Sequence, residues 1–482
     1  MRIARLRTHL LALLGTILLC PAATFAQLPV SGAAVTELQA FDTAMLDFMN
    51  SNGIEAGVLG VMKDGVVVLQ RGYGWQDAAH TTPLPASAMM RVASVTKPIT
   101  ASAIRRLVAA GHFSLSDAVF DVGQPGGGLL SITPFPVLGD PRIASITVRN
   151  LLDHEGGWDR DLVGDLTYME ITAAGALGVT SPPSRADLAR WILGQPLQHN
   201  PGTTYAYANV GYMFLGLVIE EFAGTSYLQY VHDSVFGILP VDAADLILGR
   251  TLASQQDPRE PWYQSTAFCT NVFAPATTVN CPYGGWNHEA RVSQGRIVAA
   301  TAPLLYFLQT YYISGPSIGA FRTGTEGSTW KRNHTGSLSG TNALARQRGD
   351  GVNYAVLFNE RPSSGTSYAS QIRTILDGVI DTQVLTWPST FLRGDCNNDA
   401  TVNIADAVAT LAHLFGSGTP VPLACESACD ANDDSTVNIA DAVAVLNSLF
   451  GMVPVPLPAP ATLCGVDPTA DLLDCGIGTN CP

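Results

Sequence analysis

Ser94 and Lys97 stand three residues apart in the stretch Ser-Val-Thr-Lys, followed by Pro98 and an apolar-rich run that reaches Gly111. Proline is tolerated in a first helical turn and glycine suits a helix end, so the run reads as a helix with Ser94 at its start and Lys97 one turn on, on the same face. That spacing lets an amine reach a hydroxyl. Serine is a poor nucleophile at its ordinary pKa and needs a neighbouring base, while the free N–H groups of a helix start can hold a developing oxyanion. The chemistry such a pair offers is acyl transfer through a serine ester. Two more polar groupings follow along the chain. Tyr207-Ala208-Asn209 comes just after Pro201-Gly202 and ahead of an apolar helix, and His334-Thr335-Gly336 is followed by Ser337 and the strand-like TNALARQR.

The elements that must position these groups are legible by periodicity. Leu38, Phe41, Met45 and Phe48, at spacings of three and four, predict a helix over 35–49, and two apolar runs around Lys63-Asp64-Gly65 predict an antiparallel hairpin. A helix-rich middle follows, broken at Gly111, Pro182-Pro183, Pro201-Gly202 and Gly224. Strand patterns return in TNALARQR and NYAVLFN, and a helix over 368–380 closes the body. Strands at both sequence ends with helices between them predict an α+β domain whose antiparallel sheet, flanked by helices and a helical subdomain, is completed by distant segments.

The ordered trio S-x-x-K, Y-x-N and H-T-G resembles the serine β-lactamase and penicillin-binding-protein superfamily, nearest its class C β-lactamase, DD-peptidase and family VIII esterase branch. LLDHEGGW at 151–158 and NPGTTYAYANVGYMFLGLVIE support the likeness. The resemblance implies a hydrolase domain over 30–387 with Ser94 as acylated nucleophile, Lys97 and Tyr207 as the proton-handling pair, and Asn209 orienting Lys97 and the substrate. It also implies an oxyanion hole from the N–H groups of Ser94 and Ser337. Which of Lys97 and Tyr207 is the base stays open. His334 replaces the Lys of the usual K-T-G, and a His is only partly charged near neutrality. The expected substrate is therefore a small ester, amide or peptide, an ester or a D-amino-acid amide before a β-lactam. A true β-lactamase, and an idle penicillin-recognising scaffold that works through its tail, are the alternatives. His154 and Glu155 read as loop-structuring. Trp158, Arg160 and Asp161, and the segment from Tyr283 to Trp286, read equally as pocket wall or as packing.

Beyond Trp387-Pro388 the chain repeats itself. TVNIADAVATLAHLFG at 401–416 recurs as TVNIADAVAVLNSLFG at 436–451, identical at 13 of 16 positions. Each copy begins in an acidic loop: Asp395, Asn397, Asp399, Thr401, Asn403 and Asp406 in the first, then Asp430, Asn432, Asp434, Thr436, Asn438 and Asp441 in the second. Oxygen side chains at loop positions 1, 3, 5, 7, 9 and 12 are the EF-hand pattern for Ca²⁺. The pair resembles a type I dockerin over 394–452, which implies structural calcium and a possible cohesin-like or cell-surface partner. Position 6 is Ala400 or Ser435 rather than Gly, and positions 10 and 11 are Ile-Ala in both copies. Residues 453–482 form a Pro- and Cys-rich tail.

The first 26 residues carry Arg2, Arg5 and Arg7, an apolar run and a small-residue end, the pattern of a secretory signal peptide. A secreted, periplasmic or cell-surface location follows, and no later stretch is apolar for long enough to span a membrane. Leu19 before Cys20 disfavours a lipoprotein site. The eight remaining cysteines, six of them crowded beyond residue 395, fit disulfides in an oxidising compartment, with the tail pairing undetermined. A net charge of −14 and only three lysines, Lys63, Lys97 and Lys331, leave no basic patch for nucleic acid.

Overall fold

The computed structural model describes residues 28–417, 421–469, 471–473, 475 and 481. The expected leader, residues 1–26, lies outside them. The main body is built on six strands: β1 (Val30–Ser31), β2 (Ala56–Lys63), β3 (Val66–Gly74), β4 (Lys331–Leu338), β5 (Thr341–Arg348) and β6 (Val352–Phe358). They pair antiparallel throughout, in the order β1-β3-β2-β6-β5-β4. The sheet is completed by distant segments, as expected, and β2 meets β6 across some 290 residues of intervening chain.

Both faces of this sheet are covered, which explains why β5 and β6 are buried at every position. Side chains alternate between faces along a strand. Tyr354, Val356 and Phe358 enter one core with α1 (Gln39–Asn52) and the C-terminal helix of the body, Tyr368–Thr382. Ala355 and Leu357 enter the other core, which packs the sheet against the helical middle of the chain. Arg71 on β3 donates to both carboxylate oxygens of Asp42 at 3.0 and 2.9 Å, which fixes α1 against the sheet.

Three expectations are refined. The first helix begins in a 3₁₀ turn, Thr36–Leu38, and runs to Asn52, where Gly53 takes a left-handed φ of 68°. The middle also holds a small sheet of Met90–Arg91, Leu246–Leu248 and Ile297–Ala299, strands of two or three residues that are too short for a period to show. His334-Thr335-Gly336 lies within the edge strand β4 rather than ahead of the strands, because polar side chains at an exposed edge mask the alternation.

Past Trp387 the two repeats form α-helices Ile404–Phe415 and Ile439–Phe450, which pack together around Ala407, Ala442 and Val445. Disulfides join Cys269 to Cys281 in the body and Cys396–Cys429, Cys425–Cys475 and Cys464–Cys481 in the tail. The Pro-rich end is thus stapled back onto the repeats. Its Val466 also packs against the α1 side of the body, so the tail module touches the domain it follows.

Candidate active site

The turn that carries Ser94 is forced by its surroundings. Ala93–Val95 form a 3₁₀ turn and α2 (Thr96–Ala109) continues from it, so Ser94 precedes the α-helix by two residues. Ala93 has a φ of +49°, a left-handed conformation that costs a non-glycine residue about 1–3 kcal/mol and is kept only where packing over-determines it. That packing is visible at Gly336 on β4. A Cβ there would lie 2.3 Å from the Val92 carbonyl oxygen and 3.0 Å from the Ser94 nitrogen, so only glycine lets the edge strand pass this close. An edge strand keeps alternate N–H groups unpaired. Ser337, next along β4, lines the same cleft as Ser94.

Four side chains predicted from two separate motifs converge. Tyr207 donates its hydroxyl hydrogen to Ser94 Oγ at 2.7 Å, and Lys97 Nζ lies 3.2 Å from the same oxygen. Lys97 Nζ also lies 2.7 Å from Asn209 Oδ1 and 2.6 Å from the Gln294 carbonyl. Asn209 opens the helix Asn209–Ala223 and turns its amide to Asp165 Oδ2 at 2.6 Å. Asp165 in turn accepts from Thr167 at 2.7 Å, whose hydroxyl accepts from Gln294 Nε2 at 3.0 Å. This ring of bonds holds both acceptors of the Lys97 amine in place. Asp165, Thr167 and Gln294 carry no motif signal, since their roles arise from contacts across 44 to 197 residues of sequence.

The electrostatics separate the two candidate bases. Lys97 is wholly buried, and burial pushes its ammonium down to about 7, with Tyr168 and Asp165 opposing and Arg160 and Arg296 reinforcing the shift. Tyr207 moves the other way, up to about 12, again chiefly through burial. A neutral Lys97 can donate to Asn209 Oδ1 and the Gln294 carbonyl and still point its lone pair at the Ser94 hydroxyl. Tyr207 remains a phenol that donates to Ser94. The geometry thus fits Lys97 as proton acceptor and Tyr207 as proton donor. Replacing Tyr207 with Phe is expected to lower kcat by about 10²–10⁴, the ordinary worth of general acid–base catalysis. Steady-state kinetics beside a thermal melt checks this, the melting midpoint staying close to that of the unaltered protein.

His334 lies on β4 beside this group, and burial followed by the nearby Lys97 charge pushes it down to about 4, so it is neutral above pH 5. His154 is held down to about 3 for the same first reason. Its Nδ1 accepts from the Ala208 N–H at 3.2 Å and its ring stacks on Tyr207 at 4.4 Å, which seats the tyrosine. Trp158 packs among Phe120 and Phe214 at 2% exposure, whereas Arg160 and Asp161 line the cleft and Arg160 sits 4.4 Å over the Tyr207 ring. Trp286 is cleft wall. Tyr283 instead accepts the Tyr263 N–H at 2.6 Å, away from Ser94.

The profile of the Beta-lactamase family matches residues 41–291. The chain belongs to the Beta-lactamase family. The match takes in the Ser94–Lys97 and Tyr207–Asn209 motifs, and the fold extends it to β4. Protein flp of Staphylococcus aureus strain MW2 is 30% identical over 196 residues, 40% of this chain and 35% of that protein. The chain thus spans about a third of the length of the curated relatives it matches. Among solved structures, the D-amino acid amidase of Ochrobactrum anthropi SV3 complexed with D-phenylalanine superposes with a TM-score of 0.52 at 18% identity. That superposition covers 72% of this chain and 98% of the amidase. The octameric penicillin-binding protein homologue of Pyrococcus abyssi gives 0.50 at 19%, over 73% and 79% of the two chains. These likenesses concern the fold.

In the repeats, the two loops close identically. Asp395 accepts the N–H groups of Asp399 and Ala400, and Asp430 those of Asp434 and Ser435. The buried Asp406 accepts from Asn397 and Asn403, and Asp441 from Asn432 and Asn438. Ala400 and Ser435 both take a φ of 66°, the backbone a glycine would supply at loop position 6. The two loops thus share the same left-handed backbone at this position. Among the described residues the tightest carboxylate group is Asp430, Asp433 and Asp471, beside the buried Arg393, which pairs Asp433 at 3.0 Å and Asp467 at 2.9 Å. No helix among the described residues is long and apolar enough to cross a membrane.

Proposed function

We propose that this chain is a serine hydrolase that forms an acyl-enzyme on Ser94 and hydrolyses a small ester or a D-amino-acid amide. The observation that carries this reading is the approach of Tyr207 and Lys97 to Ser94 Oγ, at 2.7 and 3.2 Å, with the amine drawn down to about 7, so that a substantial share of it is neutral near that pH. Lys97 takes the Ser94 proton as Oγ attacks the carbonyl carbon. The N–H groups of Ser94 and Ser337 receive the oxyanion, an arrangement worth about 3–4 kcal/mol per donor. Tyr207 gives its proton to the leaving oxygen or nitrogen and recovers one through Lys97. Lys97, neutral again, then takes a proton from the water that attacks the acyl carbon, and Tyr207 gives its proton to Ser94 Oγ as the acyl–oxygen bond breaks and recovers one from Lys97. Asn209 holds Lys97 and presents the acyl side of the cleft with a polar group.

The neutral His334 offers no cation to a β-lactam carboxylate, which supports ester or amide substrates over β-lactams. The D-amino acid amidase fold neighbour supports the amide. Side-by-side assays on p-nitrophenyl butyrate, nitrocefin, D-phenylalanine amide and a D-Ala-D-Ala peptide test this. The ester or the D-amide should be turned over with a higher kcat/KM than nitrocefin. Nitrocefin as the best substrate would favour a true β-lactamase, and no turnover of any would favour an idle scaffold.

The tail is read as a dockerin-like calcium module on a secreted or surface protein, a location that one disulfide in the body and three in the tail support. The all-oxygen donor set and the glycine-like backbone at position 6 fit Ca²⁺. Asp395, Asn397, Asp399, Thr401, Asn403 and Asp406 would hold one ion and Asp430, Asn432, Asp434, Thr436, Asn438 and Asp441 the other. A cohesin-like partner would meet the repeated exposed stripe of Ile404, Val408 and Phe415 with Ile439, Val443 and Phe450. Binding energy of a metal becomes folding energy in a unit this small. EGTA is therefore expected to raise amide exchange across residues 395–450 while activity against the best substrate stays level. Unchanged exchange would mean that the disulfides suffice.

A further inference from the structure

Arg296 lines the cleft into which Ser94 opens, a space of about 360 Å³ shared with Asn209, Ser337 and Trp286. It is only 1% exposed, yet its guanidinium is poorly satisfied. Nη2 donates to the Tyr168 hydroxyl at 3.2 Å, while Nε and Nη1 are buried with no hydrogen-bond partner in the protein. The surrounding charge does not compensate it. The buried Glu170 pairs with the equally buried Arg291 at 2.7 Å, and it is the carboxylate that both guanidiniums feel; Arg91 adds further positive charge. Two cations thus share one anion inside the protein. An unpaired buried charge costs several kcal/mol, and the usual relief is an opposite charge. Burial draws Arg296 down to about 10, so it stays protonated at neutral pH.

The remainder of the wall is balanced in formal charge, so the excess comes from Arg296. Arg160 and Arg361 face the cleft against Asp161 and Asp165, and Asp165 is already committed to Asn209 and Thr167. A positive cleft in a chain of net charge −14 favours an anionic ligand. The cleft can also be matched to one part of the substrate. Tyr207, the proton donor to the leaving group, walls a second cleft of about 490 Å³ with His154 and His334, so the leaving group belongs there. The cleft holding Ser94, Ser337 and Arg296 is left for the acyl part. The excess of one positive charge matches a monoanion.

We propose that the acyl group accepted by this enzyme carries a carboxylate, which pairs with Arg296 beside Ser94. This rests on the acyl-enzyme reading above and, within it, favours half-esters or half-amides of short dicarboxylic acids and related acidic acyl groups over simple D-amino-acid amides, whose acyl part carries an ammonium. Arg296 then sets specificity.

The test compares p-nitrophenyl hemiglutarate with p-nitrophenyl valerate, acyl chains of equal length that differ in the terminal carboxylate. The hemiglutarate should show at least a 10-fold higher kcat/KM, mostly through KM. Arg296→Gln should lower that ratio at least 10-fold, and Arg296→Lys should keep part of it. Equal kcat/KM for the two esters, or a ratio unmoved by Arg296→Gln, overturns the proposal. Free glutarate supplies a readout that needs no turnover. It should raise the melting midpoint of the wild-type protein more than valerate does, and lose that advantage in Arg296→Gln. No advantage over valerate in the wild type overturns the carboxylate site by itself. Failure to hydrolyse any ester, with glutarate still stabilising, would instead remove the hydrolase reading and leave the anion site standing.

Discussion

A Ser94→Ala variant is expected to lose on the order of 10⁶ in kcat against an activated ester, close to the full worth of a nucleophile acting as one unit with its base. The magnitude follows from the convergence at Oγ. Tyr207 and Lys97 both reach this one oxygen, and the other acceptors of Lys97, Asn209 Oδ1 and the Gln294 carbonyl, are amide oxygens and poor nucleophiles. What remains in the variant is binding and the oxyanion donors, which alone leave a small residual rate. Rates of purified wild type and variant on p-nitrophenyl butyrate check it. A loss of less than about tenfold would place the nucleophile elsewhere.

Lys97→Met is expected to cost between about 10⁴ and 10⁶ in kcat/KM, and to remove the pH dependence as well as the rate. The folded-state pKa of Lys97 is depressed to about 7, so the base form is scarce below that pH and dominant above it. Wild-type kcat/KM should therefore rise tenfold per pH unit at acid pH and level off above about 7. Tyr207, up at about 12, and His334, down at about 4, contribute no inflection between pH 5 and 10. A rate that went on climbing through pH 10 would identify a tyrosinate base. Residual activity of Lys97→Met should be flat across the window in which the wild type bends. A profile unchanged by the substitution would remove Lys97 from proton transfer.

Much of this site could be read from the chain before any fold was seen. Ser94 and Lys97 are near neighbours on one turn, and Tyr207 and Asn209 flank a helix start, so local spacing encodes half of each contact. The sheet was legible for the same reason at β2, β3, β5 and β6, where apolar runs meet turn residues. The assignment of the base was not legible. The shifts of Lys97 and Tyr207 come from burial by segments far along the chain, and no residue type or spacing reports burial. Asp165, Gln294 and Arg296 escaped for a related reason. Each is an isolated polar residue whose role depends on contacts with distant segments at Asn209, Thr167, Lys97 and Tyr168. Trp158, which read equally as pocket wall or as packing, is settled only by the fold, where it packs in the core. In the tail, repetition made the loops plain, but the disulfide pattern required the fold, because cysteine spacing alone left all pairings open.

The most direct measurement is the intact mass of the protein after brief exposure to a fluorophosphonate, with peptide mapping of the adduct. One adduct per chain should form on wild type, located on the peptide that contains Ser94, and none on Ser94→Ala under the same conditions. Labelling should accelerate with pH up to about 7 and then level. An adduct carried equally by Ser94→Ala, or mapped to any other residue, would contradict acylation at Ser94.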